Sequence, residues 1–425
     1  GEDSSGGSIG FDWKGDFIIN GPISFLGVTP YLTGLSSADD SDPTIGSRNS
    51  STGDVTINAA GFTLNSGTIS VPNGRSLNVT TTGTSTFKGN IVGANTTTLL
   101  DSPTVDIWND FSLYSGELTI GGGVLQVRSS SFDPHPDLEI KLNSAAEFKV
   151  AASVGSAGDH LYLNSISGDG SLYLYPGSYV SLGSIAGNIP ITARIKELII
   201  GANDSSFVLS NNIDSSGDVF KKGTGTVTLS GDNSFDGKLY VEQGELVFDG
   251  IGADNYIRSL YVQPGATATI VNGVLAPQYL GMGLGSTLKA EGVSSVTSSI
   301  YVDGQANIDV SAGGTLVLER AVYTQANNPA TSVTKLGEGG LEYTVNPYYE
   351  GGTTVAAGVL SLHPSVAGSK FYLGSTVVNT GAALDIVDAT VLTSSVNNKS
   401  VFGTVVLNGG SLNASGTSGF QGILS

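Results

Sequence analysis

Short runs of alternating apolar and polar residues, each closed by glycine or an Asn-Asp cluster, recur along this chain. In one stretch Val227 and Leu229 point the same way, Leu239 and Val241 follow after the turn GDNSFDG, and Leu246 and Phe248 follow after Glu242-Gln243-Gly244. Period-two alternation over four or five residues predicts a half-buried strand, and the glycine clusters predict turns. Three strands then fit in about 22 residues, which is one coil of a three-sided parallel β-helix.

The pattern repeats. Residues 221–248 read KKGTGTVTLSGDNSFDGKLYVEQGELVF and residues 335–362 read KLGEGGLEYTVNPYYEGGTTVAAGVLSL, at a constant offset of 114 residues. Lys221 matches Lys335, Gly223 Gly337, Gly225 Gly339, Phe235 Tyr349, Gly237 Gly351 and Gly244 Gly358, and Leu246 falls on Leu360. Self-similarity of this kind marks a solenoid whose units bury their apolar faces against each other, and the offset corresponds to roughly five coils. A glycine followed two or three residues later by leucine recurs between and beyond the copies, as in Gly285 to Leu288, Gly314 to Leu316, Gly381 to Leu384 and Gly410 to Leu412. Less regular counterparts lie upstream, at Gly74 to Leu77, Gly116 to Leu118 and Gly170 to Leu172. The expected fold is an all-β, single-stranded parallel β-helix (β-solenoid) over residues 51–425, of roughly 17 coils of about 22 residues. Residues 1–50 read as an irregular N-terminal segment, a cap or an assembly region.

Composition agrees. Sixty glycines are about twice the usual share, as expected where turns need positive φ or coils stack closely. Hydrophobic residues make up 39% and charged residues 13%, too apolar for a disordered chain. A net charge of −19 repels phosphate backbones and anionic lipid, so nucleic acid is not an expected partner. Cysteine is absent, which removes disulfides and thiolate metal sites. The sequence has no transmembrane run and no signal peptide and starts at Gly1, as expected of a processed product.

The two copies resemble the passenger-associated transport repeat of bacterial autotransporters. The match is carried by Lys221, Gly223, Gly225, Val227, Leu229, Asn233, Phe235, Gly237, Val241, Gly244 and Leu246; the second copy departs by placing Pro347 where the Asn belongs. The resemblance covers about 28 residues twice. It implies a right-handed β-helix exported across the outer membrane with the help of a translocator barrel, then displayed at the bacterial cell surface or released. The barrel and the signal sequence are missing here: either they are removed during maturation, or the resemblance concerns the solenoid alone and the export route is different.

Catalytic and metal chemistry finds little support. Of the three histidines, His135 lies in a proline-flanked loop, His160 follows Asp159 at a strand start and His363 precedes Pro364, with no ligand spacing among them. Gly6-Gly7-Ser8-Ile9-Gly10 satisfies a nucleophile-elbow pattern, but a glycine-serine tail cannot supply its strand-to-helix turn. Clustered carboxylates of the kind glycosidases use are not apparent. Asp39, Asp40 and Asp42 could offer oxygens to calcium, yet they lack the glycine and distal glutamate of a helix-loop-helix site and read as a solvated acidic loop. No catalytic residue, metal site or cofactor is assigned.

Tyrosine offers the one surface candidate. In Leu161-Tyr162-Leu163 and Leu172-Tyr173-Leu174-Tyr175 alternation sends the leucines inward and leaves Tyr162, Tyr173 and Tyr175 outward, where they would form a patch for sugar stacking or protein contact. Ordinary cross-strand pairing is the simpler account of the same residues. The expected function is that of a non-enzymatic extracellular adhesin or structural fibre, meeting a host or neighbouring-cell surface, glycans or itself. Two alternatives remain: a filament subunit stacking head to tail, with the N-terminal region around Phe11 to Phe25 against an open coil end, and a polysaccharide-degrading β-helix.

Overall fold

In a computed structural model the chain is an all-β parallel β-solenoid of about 14 turns of about 21 residues, with no helix in the described part. The structure describes residues 76–424 apart from 109–110, 131, 152, 253–254, 325–329, 350, 368, 373, 393–403 and 422. Before these it describes 73–74 and the strands Phe17–Ile19, Thr44–Ile45, Val55–Ala59, Phe62–Leu64 and Thr68–Ser70. The nucleophile-elbow string at 6–10, the acidic triplet Asp39, Asp40 and Asp42, and most of the stretch from Phe11 to Phe25 lie outside the described residues. The roughly 17 coils of about 22 residues expected from the sequence compare with about 14 turns of about 21 residues. Coil length varies: Thr224 bonds Asp204 across 20 residues, whereas Asn408 bonds Asn379 across 29.

The chain divides into two compact units, 1–203 and 204–425. In the first, every strand pairing is parallel and inward residues stack like on like. One column runs Leu77, Thr98, Leu118, Ile140, Ile166, Ile185, and another runs Val105, Leu125, Phe148, Leu172, Ile191. Three inward hydroxyls satisfy each other: Thr81 Oγ1 donates to Ser102 at 2.7 Å and lies 3.1 Å from Ser85.

In the second unit each coil from Thr267 to Thr324 visits three faces in the same order. Face A is an 11-stranded sheet that includes Thr226–Leu229, Glu245–Asp249, Thr267–Val271 and Ser332–Leu336. Face B is a 7-stranded sheet that includes Val274–Leu275, Thr315–Leu318, Gly340–Tyr343 and Val359–Leu362. Face C carries Asp218–Lys221, Ser234–Val241, Tyr256–Val262, Tyr279–Met282, Ile300–Val302 and Val322–Thr324. The core is a bundle of vertical stacks, for example Leu316, Leu341, Leu360 and Leu384 on face B.

The two repeat copies do not lie directly above one another. Lys221 starts on face C and Val227 follows on face A, whereas Lys335 starts on face A and Leu341 follows on face B. Five turns along face C lead from Asp218–Lys221 to Val322–Thr324, and the next strand, on face A, holds Lys335. The copies are therefore five turns and one side apart, and the motif belongs to the turn rather than to a particular face.

Leu246 and Leu360 are both fully buried and hold the same place in their copies. Truncating either to Ala is expected to cost about 2–5 kcal/mol, and Leu246→Asp more, because an unpaired charge would sit in the stack. Urea denaturation of each variant checks this, and an unchanged midpoint for Leu246→Asp would contradict the coil assignment.

Candidate functional site

Face C repeats a three-residue phrase in four coils: Leu239-Tyr240-Val241, Leu260-Tyr261-Val262, Ile300-Tyr301-Val302 and Val322-Tyr323-Thr324. Strand alternation turns the aliphatic residues inward and the tyrosine outward, and parallel register sets Tyr240 on Phe220, Tyr261 on Tyr240 and Tyr323 on Tyr301. The result is a ladder of seven rings. Phe220, Tyr240, Tyr261, Tyr279, Tyr301, Tyr323 and Tyr348 follow with centroid separations of 4.7, 5.0, 5.2, 4.8, 5.5 and 5.3 Å. Six of them are half-buried, and Tyr348 is 41% exposed.

One rung is built differently. Register places Gly281 between Tyr261 and Tyr301, while Tyr279 pairs with Ser259 one step earlier in the strand. The ring of Tyr279 leans into the gap above Gly281, where an added Cβ would lie 3.0 Å from the Tyr279 ring and 3.1 Å from that of Tyr261. Glycine is needed there for space, so that a ring rooted two residues upstream can complete the stack.

Cations border the ladder. Lys222 Nζ lies 5.5 Å from the centroid of Phe220 at one end. A hydrogen bond to Tyr240 holds the Lys238 ammonium above its ordinary range, and burial pushes the Tyr279 phenol up. Because each ring face lies against the next ring, the ladder offers a partner its ring edges and hydroxyls, not its faces.

The predicted tyrosines are placed separately, in the 1–203 unit. Tyr173 and Tyr175 come together at 6.3 Å with Lys149 Nζ 5.6 Å above Tyr173, and Tyr175 is 45% exposed. Tyr162 stands in another column, in register with Ser181, and its hydroxyl donates to Asn164 at 3.2 Å. The ladder was readable in the sequence only through the recurrent Leu-Tyr-Val phrase at one-coil spacing.

The histidines are scattered. His160 Nε2 lies 2.9 Å from Glu197 Oε1 beside Tyr179, His363 Nδ1 lies 3.3 Å from Glu342, and His135 Nδ1 accepts the Asp137 backbone N–H. Among the described residues no group of three His, Asp or Glu could hold a metal ion. An open depression of about 510 Å³ is lined by Leu284, Asp303, Gly304, Gln305 and Ala330, of which only Asp303 ionises.

The repeat lysines prove to be internal. Lys221 is fully buried, and its Nζ donates to the carbonyls of Lys222, Gly223 and Gln243 at 3.0, 2.7 and 3.0 Å. Lys335 does the same with Leu336, Gly337 and Ala357 at 2.7, 2.7 and 3.2 Å. Each ammonium thus ties its own turn to the turn one coil later. Burial pushes both down to about 8, against the opposing pull of Asp204 and Glu245 on Lys221 and of Asp309 and Glu338 on Lys335.

The chain matches no protein-family model, and neither the curated proteins nor the solved structures contain a match to it. The fold and the ladder define a β-solenoid with an aromatic seam.

Tyr301 stacks on two neighbours, so Tyr301→Ala is expected to lose about 1–3 kcal/mol of stability, at about 0.5–1.5 kcal/mol per aromatic pair. Tyr301→Phe keeps both stacks and should stay near the wild type in urea denaturation. The lysines give a pH signature. Their folded values lie below the ordinary 10.5, so the unfolded chain binds more protons between about pH 8 and 10.5 and their contribution to stability rises with pH across that window. The urea midpoint of the wild type should therefore climb from pH 7.5 to 9.5 relative to a Lys221→Met/Lys335→Met variant; parallel profiles would count against the assignment.

Proposed function

We propose that this protein is a non-enzymatic extracellular bacterial surface protein of autotransporter type, an adhesin or structural fibre that meets its partner along the side of the solenoid. The observation that carries this reading is the seven-ring ladder, a continuous outward strip on one face of successive coils. An extended strip of edges and hydroxyls suits a contact spread over many weak, repeated interactions, such as a glycan layer or another cell's surface. The two repeat copies resembling the passenger-associated transport repeat support export across the outer membrane, and so does a cysteine-free chain that cannot lock into disulfides before passage. The acidic net charge of −19 favours glycan and protein partners over nucleic acid.

Beads coated with the 425-residue chain are expected to adhere to bacterial or epithelial cell layers. Beads carrying a Tyr240→Thr/Tyr301→Thr/Tyr323→Thr variant, confirmed as folded by its thermal transition, should adhere several-fold less. Wild-type beads that bind no better than albumin-coated beads would sink the adhesion reading. Release of reducing sugar from polysaccharides by the purified chain would replace it with the enzymatic one.

A further inference from the structure

The ladder also holds phenols next to phenols, in a chain with no cysteine to join its coils covalently. Tyr240, Tyr261, Tyr279, Tyr301, Tyr323 and Tyr348 are consecutive neighbours at 5.0 to 5.5 Å, apart from Tyr279 and Tyr301 at 4.8 Å. Their planes lie within 7° to 38° of each other. Backbone hydrogen bonds fix Tyr240 over Tyr261 and Tyr301 over Tyr323, so each ring has its partner permanently at hand. Their outer edges reach solvent, as the half-buried state of the first five and the exposure of Tyr348 require.

We propose that the ladder is an oxidative coupling site, at which neighbouring tyrosines of one chain are joined as dityrosine by hydrogen peroxide acting through a haem peroxidase. The oxidant removes one electron and one proton from each of two phenols, and hydrogen peroxide takes up both pairs to become two waters. The two tyrosyl radicals combine through their ortho carbons to form one carbon–carbon bond. Each displaced ortho hydrogen then moves to the ring's own oxygen and restores the phenol. The backbone stays in place; the ortho carbons meet when the rings tilt about their Cα–Cβ and Cβ–Cγ bonds, and the Tyr261–Tyr279 pair is already tilted by 38°. Each bond links one coil to the next, as a disulfide would. Phe220 supplies an internal control, because it stacks on Tyr240 at 4.7 Å and 9° yet has no phenol to couple.

The coupling is independent of what the solenoid adheres to. The test treats the full chain with horseradish peroxidase and hydrogen peroxide, reads dityrosine fluorescence, and maps the joined peptides by mass spectrometry after separating monomer from oligomer on a denaturing gel. Expected are bonds within monomeric chains between consecutive ladder tyrosines, and a raised urea midpoint. In Tyr301→Phe, which keeps the stack, the bonds at residue 301 should vanish while Tyr240–Tyr261 coupling persists. The proposal is overturned if free tyrosine couples under the same conditions but the protein does not. It is equally overturned if the bonds lie mainly between chains or at Tyr162, Tyr173, Tyr175 and Tyr256.

Discussion

Parallel strands in register, about 4.8 Å apart, force each side chain to lie against its counterpart in the next coil. A residue is stable at a given position only if its neighbours one coil above and below tolerate it. Leucine tolerates leucine, hence the column through Leu316, Leu341, Leu360 and Leu384. Tyrosine tolerates tyrosine when the rings stack, hence the ladder. Like charges repel at this spacing; Glu117 and Glu139 nevertheless lie in register, whereas Lys289 is set beside opposite and neutral groups. Lys289 pairs with Glu291 on its own strand at 2.7 Å and meets Thr269 and Asp309 in register above and below.

The repeat motif solves the same problem at the turns. Successive turns approach so closely that a Cβ on Gly244 would fall 2.7 Å from the Gly223 carbonyl oxygen, and one on Gly358 would fall 2.7 Å from that of Gly337. Carbonyls crowded in this way need a donor, and the lysine five residues upstream of the strand supplies three N–H groups from within the core. A buried ammonium is costly unless fully hydrogen-bonded, and here all three of its hydrogens have carbonyls. The second copy shows how far the core can vary around this device. Tyr343, Tyr349 and Thr353 stand where Leu229, Phe235 and Leu239 stand in the first, and their three hydroxyls bond one another at 3.4 and 2.7 Å. Three polar groups enter the core together because any one alone would be unsatisfied.

Alternation and glycine spacing made the strands and turns legible in sequence, and Leu246 and Leu360 could be placed in the core from the repeat alone. The length of individual coils was not legible: Asn379 and Asn408 meet across 29 residues and Asp204 and Thr224 across 20, with no change in strand alternation to announce the difference. Nor was the rotation of the second copy by one face. An offset of 114 residues reads as about five coils, and the extra side is visible only once each strand has a face. The ladder stayed hidden for a related reason. Tyr240, Tyr261, Tyr301 and Tyr323 share a phrase, but Tyr279 enters from two residues upstream over Gly281, and Tyr348 follows a loop, so the spacing of the tyrosines in sequence is irregular where their spacing in space is even. Alternation turns Tyr162, Tyr173 and Tyr175 outward, but proximity in sequence does not put Tyr162 in the column of the other two.

Stacking also decides what the aromatic face can do. A lone surface tyrosine can turn its ring face toward a sugar, but in the ladder Tyr240, Tyr261, Tyr279, Tyr301 and Tyr323 have both faces covered by neighbouring rings. What remains is a regular row of hydroxyls and ring edges, flanked by the cations Lys222 and Lys238. Recognition by such a row depends on length and repetition more than on a single pocket, since each rung contributes little and adjacent rungs are fixed at one-coil spacing. The same constraint that stiffens the face is what suits it to the extended, repetitive partners proposed for it.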